Sequence, residues 1–141
     1  MRVVIDSSVV VAALATPDRP SGSRTILAAV AAGVVELVAT DELEAEYRRA
    51  VEYPQVRRQA AEVDRQGFVD ATVATAERVE AGSAAGAVRA DAGDDKVGAA
   101  ALAGRVAFLV TLDRHLLEVA GLPGVLIVRP GDFLWELRGR H

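Results

Sequence analysis

The sequence predicts an α/β domain with a mostly parallel central sheet and helices on both faces. Three observations predict it. Short apolar, β-branched runs at 2–6, 34–38, 106–111 and 125–128 suit buried strands. Segments with helical periodicity separate them, and Pro, Gly and Ser clusters mark the junctions. Strands that alternate with helices pair in parallel, because each helix returns the chain to the same end of the sheet. The 141 residues suit one domain spanning 1–141, large enough to bury a sizeable core.

The first strand ends at Asp6, and Ser7 and Ser8 are cap candidates for the helical VVVAALA that follows. TPDRPSGS at 16–23 reads as a turn, since its Pro residues oppose a continuous helix. A helix over 23–32 stops at Gly33, placed as a C′ residue. After the second strand, Thr40 or Asp41 caps DELEAEYRRAVEY, with acids in the first turn and Arg48 and Arg49 later, as the helix dipole favours. Leu43, Tyr47, Ala50 and Val51 form its apolar stripe. Glu44 and Glu46 flank the stripe on opposite sides and Glu42 lies further round, so periodicity leaves open which Glu faces a site.

Pro54 interrupts this helix. A polar helix is expected over 55–66, broken by Gly67, then an amphipathic helix carrying Phe68, Ala71, Val73, Ala76 and Val79. Arg48, Arg49, Arg57 and Arg58 are candidates for a basic rim that meets phosphates, although such residues also serve as solvated ion-pair partners. EAGSAAGA at 80–87 is a small-residue linker. DAGDDKVGAAALAGRVAFLVTLDRHLL then runs loop, helix, strand, acid. A turn at Gly121, Pro123 and Gly124 precedes the last strand, and DFLWELR forms a short terminal helix.

Composition excludes several function classes. Half the residues (51%) are apolar, which is globular rather than disordered. There is no Cys, hence no disulfide framework or thiolate metal site, and two His disfavour a His-rich zinc site. No apolar run approaches the ~20 residues of a membrane-spanning helix, and MRVVIDSS reads as a strand, so a cytoplasmic location is expected. The net charge of −4 gives no overall basic footprint, yet local basic patches and bound metal ions can reverse the field.

In a parallel sheet Asp6 and Asp113 both follow strand C-termini and share one edge, where α/β proteins place their chemistry. Asp94 and Asp95 open the helix that leads into the strand at 106–111. Asp94 shares a helical face with Val97, Gly98 and Ala101, and Asp95 lies about 100° round from it. Each acid can also be an ordinary helix cap. Clustered together, like charges repel unless something neutralises them. Oxygen-only ligands suit Mg²⁺ or Mn²⁺, ions that bind phosphate oxygens and acidify water. Ser8 and Thr111 are candidates to orient a carboxylate or hold a metal-bound water.

VIDSSVVVAAL, TDELEAEYRRAV, DAGDDKVGAAAL, LVTLDRHLL and RPGDFL together resemble the PIN-domain nucleases, nearly end to end and in order. The likeness is to the branch described as toxins of toxin–antitoxin pairs, the VapC-like proteins. It implies a three-layer PIN-like fold and an acidic metal site of Asp6, Glu46, Asp94 and Asp113. In this site Asp6, Asp94 and Asp113 bind Mg²⁺ or Mn²⁺, and Glu46 binds the ion or deprotonates water. Ser8 matches the small polar position two after the first acid. Asp91 matches the first acid of a D-x-x-D pair, with a structural role, and Asp95 is the alternative to Asp94. The resemblance further implies hydrolysis of RNA to 5′-phosphate and 3′-hydroxyl ends, a homodimer and a cognate antitoxin that blocks the site. Three positions depart from the pattern. Ala92-Gly93 replaces Pro-Asp, His115 replaces an acid, and Leu112 replaces a Gly, which restricts the backbone before Asp113.

Two other functions are compatible with acids at a sheet edge. A PIN-like module with a weakened site would bind RNA or a partner without cutting, and Leu112 favours it. A phospho-receiver domain needs a Lys after a late strand, and the sole Lys, Lys96, stands in the wrong element.

Overall fold

Parallel pairing at every strand junction sets the architecture. In the computed structural model, which describes residues 1–15, 21–81, 95–118 and 121–139, five strands form one sheet in the order β3-β2-β1-β4-β5. The strands are β1 (Arg2–Ile5), β2 (Glu36–Ala39), β3 (Glu77–Arg78), β4 (Phe108–Val110) and β5 (Leu126–Val128). All four pairings are parallel, so the mostly parallel sheet expected from the sequence is wholly parallel among the described residues. Helices cover both faces in a three-layer α/β arrangement. α1 (Ser7–Ala15) and α2 (Gly22–Ala31) connect β1 to β2, and α3 (Asp41–Ala50), α4 (Pro54–Gln59) and α5 (Arg65–Val73) connect β2 to β3. α6 (Asp95–Ala103) leads into β4, α7 (Arg114–Glu118) follows it, and α8 (Pro130–Gly139) closes the described chain.

The strands form because their apolar side chains are buried on both faces: Val3, Val4, Ile5, Leu109 and Val110 are all fully covered. β1 pairs with β4 in the register Val3↔Phe108, Val4↔Leu109, Ile5↔Val110. α6 packs over β1, β2 and β4. Gly104 opens the turn after α6, where a Cβ would stand 2.5 Å from Val38 Cγ1. Phe133 of α8 meets Phe108 of β4 edge to face, with ring centroids 5.4 Å apart. Gly22 lets the start of α2 approach the start of α8, since an added Cβ would lie 3.1 Å from Pro130 Cβ.

Several boundaries follow the sequence signals. Thr40 caps α3 through its hydroxyl, which accepts the Leu43 N–H at 3.0 Å. The stripe Leu43, Tyr47, Ala50 and Val51 is buried as expected. Gly33 takes φ +79 just beyond α2. α2 starts slightly earlier than expected because Ser21 is its cap, accepting the Arg24 N–H at 3.1 Å.

Other expectations are corrected. The polar helix expected over 55–66 stops at Gln59, and Gly67 does not break a helix. Asp64 caps α5 by accepting the Gly67 N–H at 2.9 Å, and the missing Cβ of Gly67 leaves room for that carboxylate. The amphipathic helix expected through Val79 ends at Val73, and Glu77–Arg78 instead pairs with Val38 and Ala39 as edge strand β3. Two residues carry no readable alternation, and their placement comes from tertiary partners: Arg2 bridges to Glu77, and Arg78 bridges to Asp41 and Glu44. The 80–87 linker lies outside the described residues except for Glu80 and Ala81.

Candidate active site

The strand order places a topological switch between β1 and β4. From β1 the chain builds outward through β2 to β3, then returns to the other side of β1 with β4 and β5. Crossovers leave β1 and β4 in opposite directions, which opens a crevice at their carboxyl ends. Asp6 stands at the end of β1, and its N–H continues the ladder to the Val110 carbonyl at 2.9 Å. Thr111 stands at the end of β4, bonded from its N–H to the Val128 carbonyl at 2.9 Å. The two residues are therefore lateral neighbours at the crevice.

Their side chains form one network. Ser8 Oγ donates to Asp6 Oδ2 at 2.6 Å, and Thr111 Oγ1 donates to the same oxygen at 2.8 Å. The two hydroxyls lie 3.4 Å apart. Each also accepts a backbone proton from the turn after β4: Leu112 N–H reaches Ser8 Oγ at 3.0 Å, and Asp113 N–H reaches Thr111 Oγ1 at 2.9 Å. Among the described residues Oδ1 of Asp6 takes no hydrogen bond. Asp6 does not cap α1, and Ser8, expected as a cap candidate, spends its hydroxyl across the sheet instead. Asp113 does act as a local cap, accepting the His115 N–H on Oδ1 at 2.9 Å at the start of α7. Leu112 does not need the left-handed backbone that would call for Gly: among the described non-Gly residues only Arg105 has positive φ.

Tyr47 lies beneath this network. Sequence periodicity places it in the core stripe, and it is fully buried, but its hydroxyl donates to the Ile5 carbonyl. Burial pushes its phenol well above the usual range, and the Asp6 charge adds to the rise, so the proton stays on the tyrosine.

Glu46, the residue before Tyr47 on α3, faces the start of α6. Its Oε2 accepts from Arg49 at 2.8 Å and from Lys96 of α6 at 3.3 Å, and Tyr53 reaches Oε1 at 3.4 Å. Burial raises its carboxyl, but the hydrogen bonds and charges of Arg49 and Lys96 outweigh it and leave the group below the usual Glu range. Glu44 is tied instead to Arg48 and Arg78, on the side of β3. The basic-rim candidates divide: Arg48 is engaged by Glu44, Gln66 and Asp70, whereas Arg49 holds Glu46 with half its side chain exposed.

The structure thus joins Asp6, Ser8, Thr111 and Asp113, and it brings Glu46 to the start of α6. Asp91 and Asp94 lie outside the described residues, and Asp95 is described only as the first residue of α6. Among the described residues no three acidic or imidazole side chains stand close enough to form a metal cage. The donor chemistry nonetheless fits a hard cation: Asp6 has one carboxylate oxygen braced by two hydroxyls and the other without a hydrogen bond among the described residues, beside a second acid in the same turn network. Reasoning from sequence missed Lys96 as a partner of Glu46. Its being the only Lys, directly after two acids, was the available signal.

Among the described residues, a wholly parallel sheet carries a carboxylate–hydroxyl network at its switch point, which defines an α/β protein with two acids at the carboxyl edge of its sheet. A PIN-domain family model matches residues 2–115, and the chain belongs to that family. Among solved structures, VapBC2 from Rickettsia felis, crystallised bound to a DNA fragment from its promoter, matches with a TM-score of 0.60 and 14% identity, over 92% of this chain and 98% of that chain. Curated protein sequences give no match.

Proposed function

We propose that this chain, as one PIN-like domain, is a metal-dependent endoribonuclease that hydrolyses RNA phosphodiester bonds, and that it is the toxin of a toxin–antitoxin pair. The single observation that carries the nuclease reading is the pair of hydroxyls converging on Oδ2 of Asp6 at the switch point, which leaves the remaining carboxylate oxygen without a hydrogen bond among the described residues. Asp6, Asp113 and Asp94 hold Mg²⁺ or Mn²⁺, with Asp95 as the alternative to Asp94. The ion, when bound, supplies charge neutralisation at the phosphate and a more acidic water.

The chain's own groups do the rest. Ser8 and Thr111 fix the orientation of Asp6, and Thr111 fixes the turn that carries Asp113. Glu46, ionised at neutral pH, takes the proton of the attacking water. Arg49, released from Glu46, meets an RNA phosphate, and Arg48 holds α3 against α5 behind it. Asp91 supports the loop before α6. The toxin assignment, with an antitoxin partner, a homodimer and a cytoplasmic location, is supported by family membership and by the fold likeness to the VapBC2 structure. No described helix is long and apolar enough to cross a membrane.

A second reading, a PIN-like module that binds RNA or a protein without cutting, is favoured by the commitment of Glu46 to Arg49 and Lys96. Titration of Mn²⁺ or Mg²⁺ against single-stranded and structured RNA separates the two. Cleavage that is lost in Asp6→Asn and in Asp94→Asn is the expected result. Cleavage surviving in both variants rules out the assigned site, and metal binding with no cleavage of any RNA supports the binding module.

A further inference from the structure

We propose that the cleft beside Leu112 receives the nucleotide flanking the bond to be cut, its base against an apolar wall and its phosphate on Arg129; this rests on the nuclease reading above. The cleft has a volume of about 540 Å³ and lies between the end of α1, the start of α2 and the β5–α8 junction. That volume falls within the ~300–1,000 Å³ typical of small-ligand sites.

The cleft is continuous with the carboxylate network. Leu112 lines it and donates its N–H to Ser8 Oγ at 3.0 Å. Ala12, another lining residue, stands one helical turn after Ser8 and shares its face of α1. With Ala15, Leu112 and Pro130 the lining is largely apolar, a surface on which a base can pack without a sequence-specific hydrogen bond. Leu112 is 38% exposed and occupies the position where the PIN pattern has Gly, so this wall is a feature of this chain.

Arg129 supplies the charge. It follows β5, at the same end of the sheet as Asp6 and Thr111. Among the described residues its guanidinium has no ion-pair partner, whereas Arg48, Arg49, Arg78 and Arg114 each hold an acid. An exposed guanidinium beside an apolar wall and an acidic centre is suited to a nucleotide phosphate. Asp132 lies on the same rim and repels phosphate from its own end, and Arg129 is the cation among the described lining residues.

The test uses the Asp6→Asn protein, which holds RNA uncut. Fluorescence anisotropy measures its binding to single-stranded RNA across a salt series, alone and combined with Arg129→Ala or Arg138→Ala. The expected result is binding weakened about tenfold by Arg129→Ala, with a plot of log K against log salt shallower by ~0.7, the signature of one lost phosphate contact. Arg138→Ala removes the same charge from the far end of α8 and should change neither quantity. RNA carrying 4-thiouridine next to the cleaved bond should crosslink to the segment containing Leu112, and Leu112→Gly should reduce that crosslink. Equal binding and salt slope in the two Arg variants, with cleavage by the unmodified protein intact, overturns the cleft assignment and leaves the nuclease reading standing. Failure of the unmodified protein, with Mn²⁺ present, either to bind or to cleave any RNA overturns both. The expected binding pattern without cleavage at any metal concentration supports the cleft as an RNA site and removes the nuclease reading alone.

Discussion

Thr111 donates its hydroxyl to Asp6 Oδ2 across 2.8 Å and so ties the carboxyl ends of two strands that lie more than a hundred residues apart in the chain. Thr111 Oγ1 also accepts the Asp113 N–H, so one side chain sets two acids. Thr111→Val keeps the β-branched shape and removes both bonds. It should lower Mn²⁺-dependent RNA cleavage by about 10- to 100-fold, the usual loss when a group that orients a metal ligand is removed. Stability should fall by about 1–3 kcal/mol, because a buried polar partner is lost. Thr111→Ser should recover most of the activity. Cleavage rates and urea midpoints for the two variants check this.

Lys96→Ala removes a cation 3.3 Å from Glu46. The Glu46 carboxyl should then titrate nearer its ordinary value, visible in a ¹³C NMR titration of labelled Glu. Metal affinity should tighten by about two- to fivefold, the scale of a partly exposed ion pair of ~0.5–1 kcal/mol. Weaker Mn²⁺ binding by calorimetry would show that Lys96 supports the site rather than competing with it.

Tyr47→Phe deletes the hydroxyl that serves the Ile5 carbonyl, in a fully buried position. The ring still fills its space, so the cost should be about 1–2 kcal/mol, the price of one unsatisfied carbonyl. Chemical denaturation measures it. A larger loss of cleavage than this destabilisation explains would mean that the end of β1 has moved and carried Asp6 with it.

Glu52 joins α3 to α5 through Gln66 Nε2 at 3.0 Å and Arg65 at 3.1 Å. The Gln66 hydrogen bond, followed by the Arg65 hydrogen bond, holds its carboxyl below the usual Glu range. A depressed folded pKa contributes stability above the unfolded value of ~4.3 and loses it as pH falls through the folded value. Glu52→Gln should therefore be less stable than the unmodified protein at pH 7, and the gap should close on acidification below the ordinary Glu pKa. Paired urea titrations across that range give the answer, and a gap that persists at the acid end would assign the effect to geometry rather than charge.

Much of the fold was legible because burial imposes periodicity. Val3, Val4 and Ile5 are apolar without interruption because the parallel sheet covers them on both faces, and Leu43, Tyr47, Ala50 and Val51 recur as one helix stripe requires. What escaped was set by contacts between distant residues. β3 exists because Arg78 reaches Asp41 and Glu44, which no local pattern reports. Gly67 looks like a helix breaker until Asp64 is seen to need the space of its missing Cβ. At the site, the strand-end position of Asp6 was readable, and so was the candidacy of Ser8 and Thr111. Their convergence on a single carboxylate oxygen was not, since it depends on the β1–β4 register. The choice of Glu46 over Glu44 came from resemblance, and in the structure Glu44 belongs to the β3 side. The restriction expected at Leu112 does not arise, because the turn there keeps φ negative.

The pairing of β1 with β4 has a consequence for synthesis. Asp6 and Ser8 leave the ribosome about a hundred residues before Thr111, so Oδ2 of Asp6 has no Thr111 to meet until β4 has been made and has inserted beside β1. A growing chain that has completed β1, β2 and β3 still lacks one wall of the crevice and the turn that carries Asp113. An unfinished chain therefore lacks the Asp6–Thr111 network, and with it any activity that depends on that network.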